Sequence, residues 1–399
     1  MPAPMSGLKV VDLTQGYEGY GAMMLAEFGA SVTKVEPIQG DYMRQWGPPF
    51  VGQDSAAFMG VNRGKRSIAL AWRENSEARQ ILQRLILQAD VFISNLYPDE
   101  AESGRLDYNS LSAAHPSLIY CSLTPYGDVG PHSNRRGTEL EVQGFAAQWR
   151  LVGVHGEPPV RVGVPIGAIN GSVFAFQGIT GALISRLRTG EGQKVDVAEI
   201  GAITSMRTIT YAAESEPDEW IGHTVAPMRP PNRGYKTKDR NILWGFTGNV
   251  EAQGKFLEEL GLGHLKNDPR ISGGGGGDFG RWPPDLLKEW DRVVGEKPAQ
   301  EVLEIAWKYG GSAVPYSTFE TISKEPQALA MGMIEEFKHP AGGAIKTIGL
   351  PWSFSETPGI VGAPPLLGQH TQEVLKELGF SPSDVARLTK ARIAAAATS

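Results

Sequence analysis

Three groups of residues in this 399-residue chain combine types and spacings that could do chemistry. Arg63, Lys65 and Arg66, in Asn62-Arg-Gly-Lys-Arg-Ser67, crowd three cations into four positions. That density suits a phosphorylated small ligand, since forked guanidinium groups match phosphate oxygens; a solvated basic loop is the other reading. Gly16-Tyr-Glu-Gly-Tyr-Gly21 reads G-x-x-G-x-G, the reverse of the dinucleotide fingerprint. Its plainer use is a loop whose amides, at a helix N-terminus, accept a phosphate or an adenine edge. Glu139, in Thr138-Glu-Leu-Glu-Val-Gln143, puts a carboxylate at a helix start, as a cap or as an acid/base group. The seven histidines have no metal-type spacing, and no metal site is expected. The lone Cys121 excludes an intrachain disulfide, and its apolar run Ser117-Leu-Ile-Tyr-Cys-Ser-Leu123 reads as a buried strand.

These groups need a frame, and the first half of the chain supplies one. Short apolar runs alternate with helical patterns, the signature of a parallel α/β sheet. Leu8–Leu13, Ser31–Glu36, Ile68–Trp72, Val91–Ser94, Leu118–Leu123 and Lys194–Val197 read as strands. Gly21–Phe28 reads as a helix, as does Ser76–Gln88 with Ser76 as N-cap. A long apolar helix is expected from Val173 to Arg186, and a final one over Gln372–Leu378 capped by Thr371. Glu214–Glu219 and Met228–Gly234 mark a linker, after which Tyr235–Trp244 reads as a hairpin. The expected organisation is a Rossmann-like large domain from residues 1–215 and 331–399, with a linker and small α/β domain at 216–330. Gly273–Gly277 lacks a Lys-Ser/Thr partner, so it reads as a mobile surface loop rather than a phosphate loop. Trp149, Trp220 and Trp244 could line an aromatic pocket, but core packing is the favoured role.

A net charge of −6 without a dominant basic block argues against nucleic-acid binding. The N-terminal Met-Pro-Ala-Pro-Met-Ser-Gly lacks the pattern of a signal peptide, and no uninterrupted apolar run approaches a membrane span. A cytoplasmic location without membrane attachment is expected.

Lys34-Val-Glu-Pro37, Asn62-Arg-Gly-Lys-Arg-Ser-Ile68, Val160–Gly171 and Arg188-Thr-Gly-Glu-Gly-Gln-Lys-Val-Asp196 together resemble class III CoA transferases. This is the formyl-CoA and carnitine-CoA transferase-like (CaiB/BaiF-like) family. Leu366-Leu-Gly-Gln-His-Thr371 extends the resemblance toward the C-terminus, with His370 read as structural. The resemblance implies a Rossmann-like domain from both chain ends, a smaller inserted domain, and two chains interlocked as rings. It implies acyl-CoA esters as substrates, with no permanently bound cofactor. CoA-contacting positions then fall at Gln15, Gly16, Tyr17, Arg63, Lys65, Arg66, Asn95, Tyr97 and Arg136.

The same resemblance places a nucleophilic aspartate about eleven residues before Ile179. This chain has Ala168 there, whose methyl group neither attacks a thioester nor moves a proton. Three readings follow. The chain is the non-nucleophilic subunit of a heteromer with a homologous sister chain, as in succinyl-CoA:benzylsuccinate-type transferases. Alternatively, it is an Asp-to-Ala variant of a homodimeric enzyme. In the third, Glu139 supports another reaction on a CoA ester, or the chain only binds CoA and stabilises its partner. Racemisation needs a base and an acid on opposite faces, and both racemase positions are changed, at Thr138 and Ala168. The favoured reading is transfer of CoA from a donor such as succinyl-CoA to an aromatic or dicarboxylic acid, with this chain as the heteromeric subunit.

Overall fold

The computed structural model describes residues 1–151, 158, 160–206, 234–246, 248–271, 282–339 and 342–397. The chain divides into two compact units, Met1–Arg150 with Val160–Arg207 and Gln327–Ser399, and Leu151–Pro159 with Thr208–Pro326. The expected linker at 214–219 and 228–233 lies outside the described residues, as do Trp220 and the glycine run 273–277.

The first unit is built on strands β1 (Lys9–Asp12), β2 (Ser31–Glu36), β5 (Arg66–Leu70), β6 (Val91–Ser94), β7 (Ile119–Thr124) and β8 (Lys194–Ala198). A short hairpin, β3 (Phe50–Val51) and β4 (Asp54–Ser55), stands apart from this sheet. The sheet order is β5-β2-β1-β6-β7-β8, all parallel. Counting only these six strands, that is the doubly wound order 3-2-1-4-5-6, whose direction reverses beside β1. Strands β6 and β7 are buried throughout, so their apolar runs are continuous rather than alternating. Cys121 belongs to this core.

Helices α1 (Gly19–Glu27), α2 (Ala56–Val61), α3 (Ser76–Ile86), α4 (Pro98–Gly104), α5 (Tyr108–Ser112), α6 (Glu139–Phe145), α7 (Ile166–Thr189) and α8 (Glu199–Ser205) connect the strands. In α3 the buried Ala78, Ile81, Leu82 and Ile86 form one stripe. Its cap is Asn75, which accepts the Ala78 N–H, rather than Ser76, which is the first helical residue. Helix α7 starts seven residues earlier than its apolar periodicity indicates, because Gly167, Ala168, Gly171 and Ser172 have small side chains that give no hydrophobic signal yet are buried. These small residues let α1 approach: a methyl on Gly21 would lie 2.9 Å from the Ser172 carbonyl oxygen. By length and composition alone α7 is long and apolar enough to cross a membrane, a test that a core helix also passes. In the fold its apolar residues Ala175 and Ile179 are fully buried in the core shared with β1, β6 and β7.

The second unit has a two-stranded antiparallel sheet, β9 (Ile242–Gly245) with β10 (Ser312–Pro315). Helices α9 (Val250–Glu259), α10 (Pro284–Val293) and α11 (Ala299–Lys308) surround it. The expected hairpin is present as the Tyr235–Ile242 bridge. Trp244 is a core residue, stacked on Trp290 at 5.6 Å between ring centroids.

Back in the first unit, β11 (Ile334–His339) pairs with β12 (Gly343–Ile348). Then come α12 (Thr371–Glu377), α13 (Pro382–Lys390) and β13 (Ala394–Ala395), which adds an antiparallel edge to β5. Thr371 is inside α12 rather than its cap; its hydroxyl donates to the Ala395 carbonyl at 2.6 Å and accepts from Ala69 N–H. Helix α12 is not the last helix, since α13 follows. His370 is structural, its Nδ1 accepting the Ser67 N–H and its own N–H reaching Ser67 O.

Candidate functional site

In open parallel sheets, ligands bind beyond the carboxyl ends of the strands, where the strand order reverses. Here that point lies between β1 and β6, and the two following loops are tied together. Gln15 N–H donates to Asn95 Oδ1 at 3.1 Å, and Asn95 Nδ2 donates to Gln15 O at 2.9 Å. Gly16 holds φ +86°, and a Cβ there would overlap the Tyr42 hydroxyl and lie 2.7 Å from Glu18 Oε2. Tyr17 packs on Trp46. Tyr97 accepts the Gly137 N–H at 3.0 Å, and the Arg136 guanidinium lies 4.0 Å over its ring. Arg136 is half-exposed and pairs with Asp99 and Glu100 at 3.3 and 3.2 Å. Gln15, Gly16, Tyr17, Asn95, Tyr97 and Arg136 therefore share one region.

The basic triplet does not join them. Lys65 is fully buried, and its ammonium donates to Asp12 Oδ2 (2.7 Å), Gly19 O (2.7 Å) and Asn62 Oδ1 (2.8 Å). Those three bonds use all three of its donors. Arg63 is buried against Glu27 and also donates to Thr347 Oγ1 and the Ile348 carbonyl. Arg66 pairs with Glu373 and Glu377 of α12 at 3.2 and 2.9 Å. Three cations adjacent in sequence thus hold three separate parts of the fold.

A buried charge network underlies the β1 loop. Lys34 donates to Thr14 O at 2.7 Å and pairs with Asp41 at 2.9 Å; Asp41 also accepts from Met43 N–H. Glu36 accepts a forked pair from Arg44 at 2.7 and 2.8 Å. Burial opposes ionisation of Asp12, but Lys65 and Lys34 beside it hold its carboxyl below the usual range. Burial pulls Lys65 down to about 8 despite Asp12, with Lys34 adding to the fall.

Glu139 and Ala168 meet at the head of α7. The Glu139 carboxylate accepts Gly167 N–H at 2.8 Å and Ala168 N–H at 3.0 Å. Gln143 Nε2 adds a third bond to it at 2.8 Å. Gln143 is itself held by Val164 O and by the indole N–H of Trp149. Glu139 thus serves as a cap on the positive end of α7. The Ala168 methyl is 5% exposed and offers no reactive atom.

Two further carboxyls sit here that sequence reasoning passed over, Glu18 and Glu199. Glu18 was legible only as a letter in the glycine loop, and Glu199 only as the residue after a strand. Ser172 Oγ of α7 donates to the Glu18 carbonyl at 3.1 Å, one helical turn from Ala168. Glu199 Cγ lies 3.1 Å from where a Gly171 methyl would stand. Burial pushes the Glu18 carboxyl up to about 7, helped by Asp41, and burial with Glu18 pushes Glu199 well up. Among the described residues no group of three His, Cys, Asp or Glu could hold a metal.

A doubly wound parallel sheet, with a glycine loop after β1 and a long helix α7 capped by Glu139, defines the first unit as an open α/β fold. A family model for CoA-transferase family III matches residues 5–371, and the chain belongs to that family of CoA-transferase enzymes. It is 31% identical over 387 residues to the succinyl-CoA:glutarate CoA-transferase of Homo sapiens, covering 94% of this chain and 86% of that protein. It is 25% identical to the formyl-CoA:oxalate CoA-transferase of Escherichia coli O6:H1, covering 97% and 99%. A CAIB/BAIF family protein from Brucella suis has a similar structure, with TM-score 0.80, 29% identity and coverage of 95% and 100%.

Proposed function

We propose that this chain is the non-nucleophilic subunit of a class III CoA transferase. It takes part in moving CoA from an acyl-CoA such as succinyl-CoA to an aromatic or dicarboxylic acid. The observation that carries the reading is Ala168 at an otherwise ordered helix head, its N–H and that of Gly167 already taken by Glu139. Transfer between two carboxylates without hydrolysis calls for a nucleophile that this position does not supply. A homologous sister chain, interlocked with this one, would then carry the attacking carboxylate. Gln15, Gly16, Tyr17, Asn95, Tyr97 and Arg136 would bind the CoA nucleotide, with Arg136 toward a phosphate. Arg63, Lys65 and Arg66 would support that loop from beneath rather than touch CoA. No permanently bound cofactor is needed.

The test is CoA transfer from succinyl-CoA by the chain alone, by Ala168→Asp, and by the chain with a co-expressed homologue. Activity only with the homologue supports the heteromer. Activity gained by Ala168→Asp alone supports the second reading, a homodimeric enzyme that has lost its aspartate. Activity of the unmodified chain alone overturns both. Binding of CoA with no effect on a partner's activity would reduce the chain to a CoA-binding subunit.

A further inference from the structure

Glu18 and Glu199 reach the first turns of α7 from a central strand and an edge strand of the sheet. Glu18 ends the turn after β1 and Glu199 opens the segment after β8. Both are fixed to α7, Glu18 through Ser172 and Glu199 against Gly171, and their carboxyls are within hydrogen-bond reach of each other. Two carboxylates cannot accept from one another, so that contact requires a proton between them. Glu199 is 2% exposed, and its Oε1 finds no hydrogen-bond partner among the described residues. Thr124 Oγ1, buried at the end of β7 in register with Ala198, is likewise without a partner among them. A buried oxygen without a donor is costly unless something occupies it.

The groups acting on the pair are mostly negative or neutral. Asp41, itself paired with Lys34, faces it from the loop after β2, and Glu139 faces it from α6. The phenols of Tyr42 and Tyr97 and the Asn95 amide stand beside it. The charges acting on Glu199 are those of Glu18 and Glu139. Carboxylate binding by a cation is therefore not what this corner offers. It offers one carboxylic acid proton in a buried place against Gly171 and Ser172 of α7, within one helical turn of Ala168 along the chain.

We propose that Glu18 and Glu199 share a single proton and present it, as a neutral carboxyl group, to an acyl oxygen of a bound CoA thioester. This rests on the acyl-CoA reading above and extends it by naming the donor to the acyl group. The shared hydrogen turns from the partner carboxyl to the ligand oxygen, and no covalent bond changes. Raised proton affinity in both groups is consistent with that arrangement.

The experiment has two arms on the purified chain. Infrared difference spectra of the wild type against Glu18→Gln and Glu199→Gln read the carbonyl stretch of a protonated carboxyl near neutral pH. The expected result is one such band, lost in either variant; its absence overturns the proposal. Calorimetric binding of succinyl-CoA and of free CoA, from about pH 5.5 to about pH 8.5, then reads the acyl contribution. The preference for succinyl-CoA should fall as the pair loses its proton, drop about tenfold in Glu18→Ala, and lose its pH dependence in Glu18→Gln. An unchanged preference in Glu18→Ala, with the infrared band present, overturns the ligand role. If neither CoA nor succinyl-CoA binds, the acyl-CoA reading itself fails, and the infrared band still decides whether the proton is shared.

Discussion

Glu139 Oε2 accepts the backbone N–H of Ala168 at 3.0 Å, so the side chain nearest the silent position is spent holding its backbone. A cap and a general acid/base group make different demands on the same carboxylate. A cap must stay ionised and immobile, whereas an acid/base group must exchange protons with a substrate.

Replacing Glu139 by Ala removes three hydrogen bonds and is expected to cost about 1–3 kcal/mol of stability, read by urea denaturation. Glu139→Gln should recover part of that loss. CoA affinity at a temperature where the variants remain folded should change little. A fully stable Glu139→Ala protein would contradict the cap.

Gly16→Ala should destabilise the β1 loop by about 2 kcal/mol or more, because φ is +86° and the new methyl meets Tyr42 and Glu18. Weaker CoA binding should accompany the loss of stability. A Tyr42→Phe background removes the overlapping hydroxyl and should restore part of both.

Lys65 and Arg136 should separate cleanly. Lys65→Ala leaves Asp12 charged and buried, which is expected to cost about 3–5 kcal/mol. Arg136→Ala removes a half-exposed side chain and should change stability by less than about 0.5 kcal/mol. Its cost should appear instead as about tenfold weaker CoA binding, measured calorimetrically.

The pH dependence of stability should carry the mark of Glu18. Its carboxyl ionises near 7 when folded against an ordinary value of 4.5. Between those values the unfolded chain releases a proton that the folded one keeps, so stability falls as pH rises through that window. Glu18→Gln should therefore match the wild type near about pH 4.5 and exceed its stability above about pH 7 in paired denaturation curves. Equal curves at high pH would remove Glu18 as a proton holder.

Much of this architecture was legible in the sequence because buried parallel strands are continuous apolar runs. Val91-Phe-Ile-Ser94 and the Cys121 strand announce themselves in that way. The start of α7 was hidden because close helix packing selects glycine, alanine and serine, which carry no apolar period. Arg63, Lys65 and Arg66 read as one patch because spacing records neighbours along the chain. Their partners lie far away in sequence, as with Thr347 for Arg63 and Glu377 for Arg66. Glu18 and Glu199 are 181 positions apart and follow strands that are not neighbours in the sheet; it is α7, through Ser172 and Gly171, that brings them to one corner.

The return of the C-terminal segment to the first unit also bears on how the protein is made. Gly64 N–H bonds to Ala363 O, Arg44 to Pro365 O, Arg63 to Thr347, and Ser67 to His370. A nascent chain with residues 1–206 already outside the ribosome has every side chain of the candidate site but lacks these four contacts. Translation of the intervening unit adds about 6–24 s at ordinary elongation rates, during which the loop between α2 and β5 waits half-tied. The frame of the β1 loop is therefore encoded in the first part of the chain and tied only by the last.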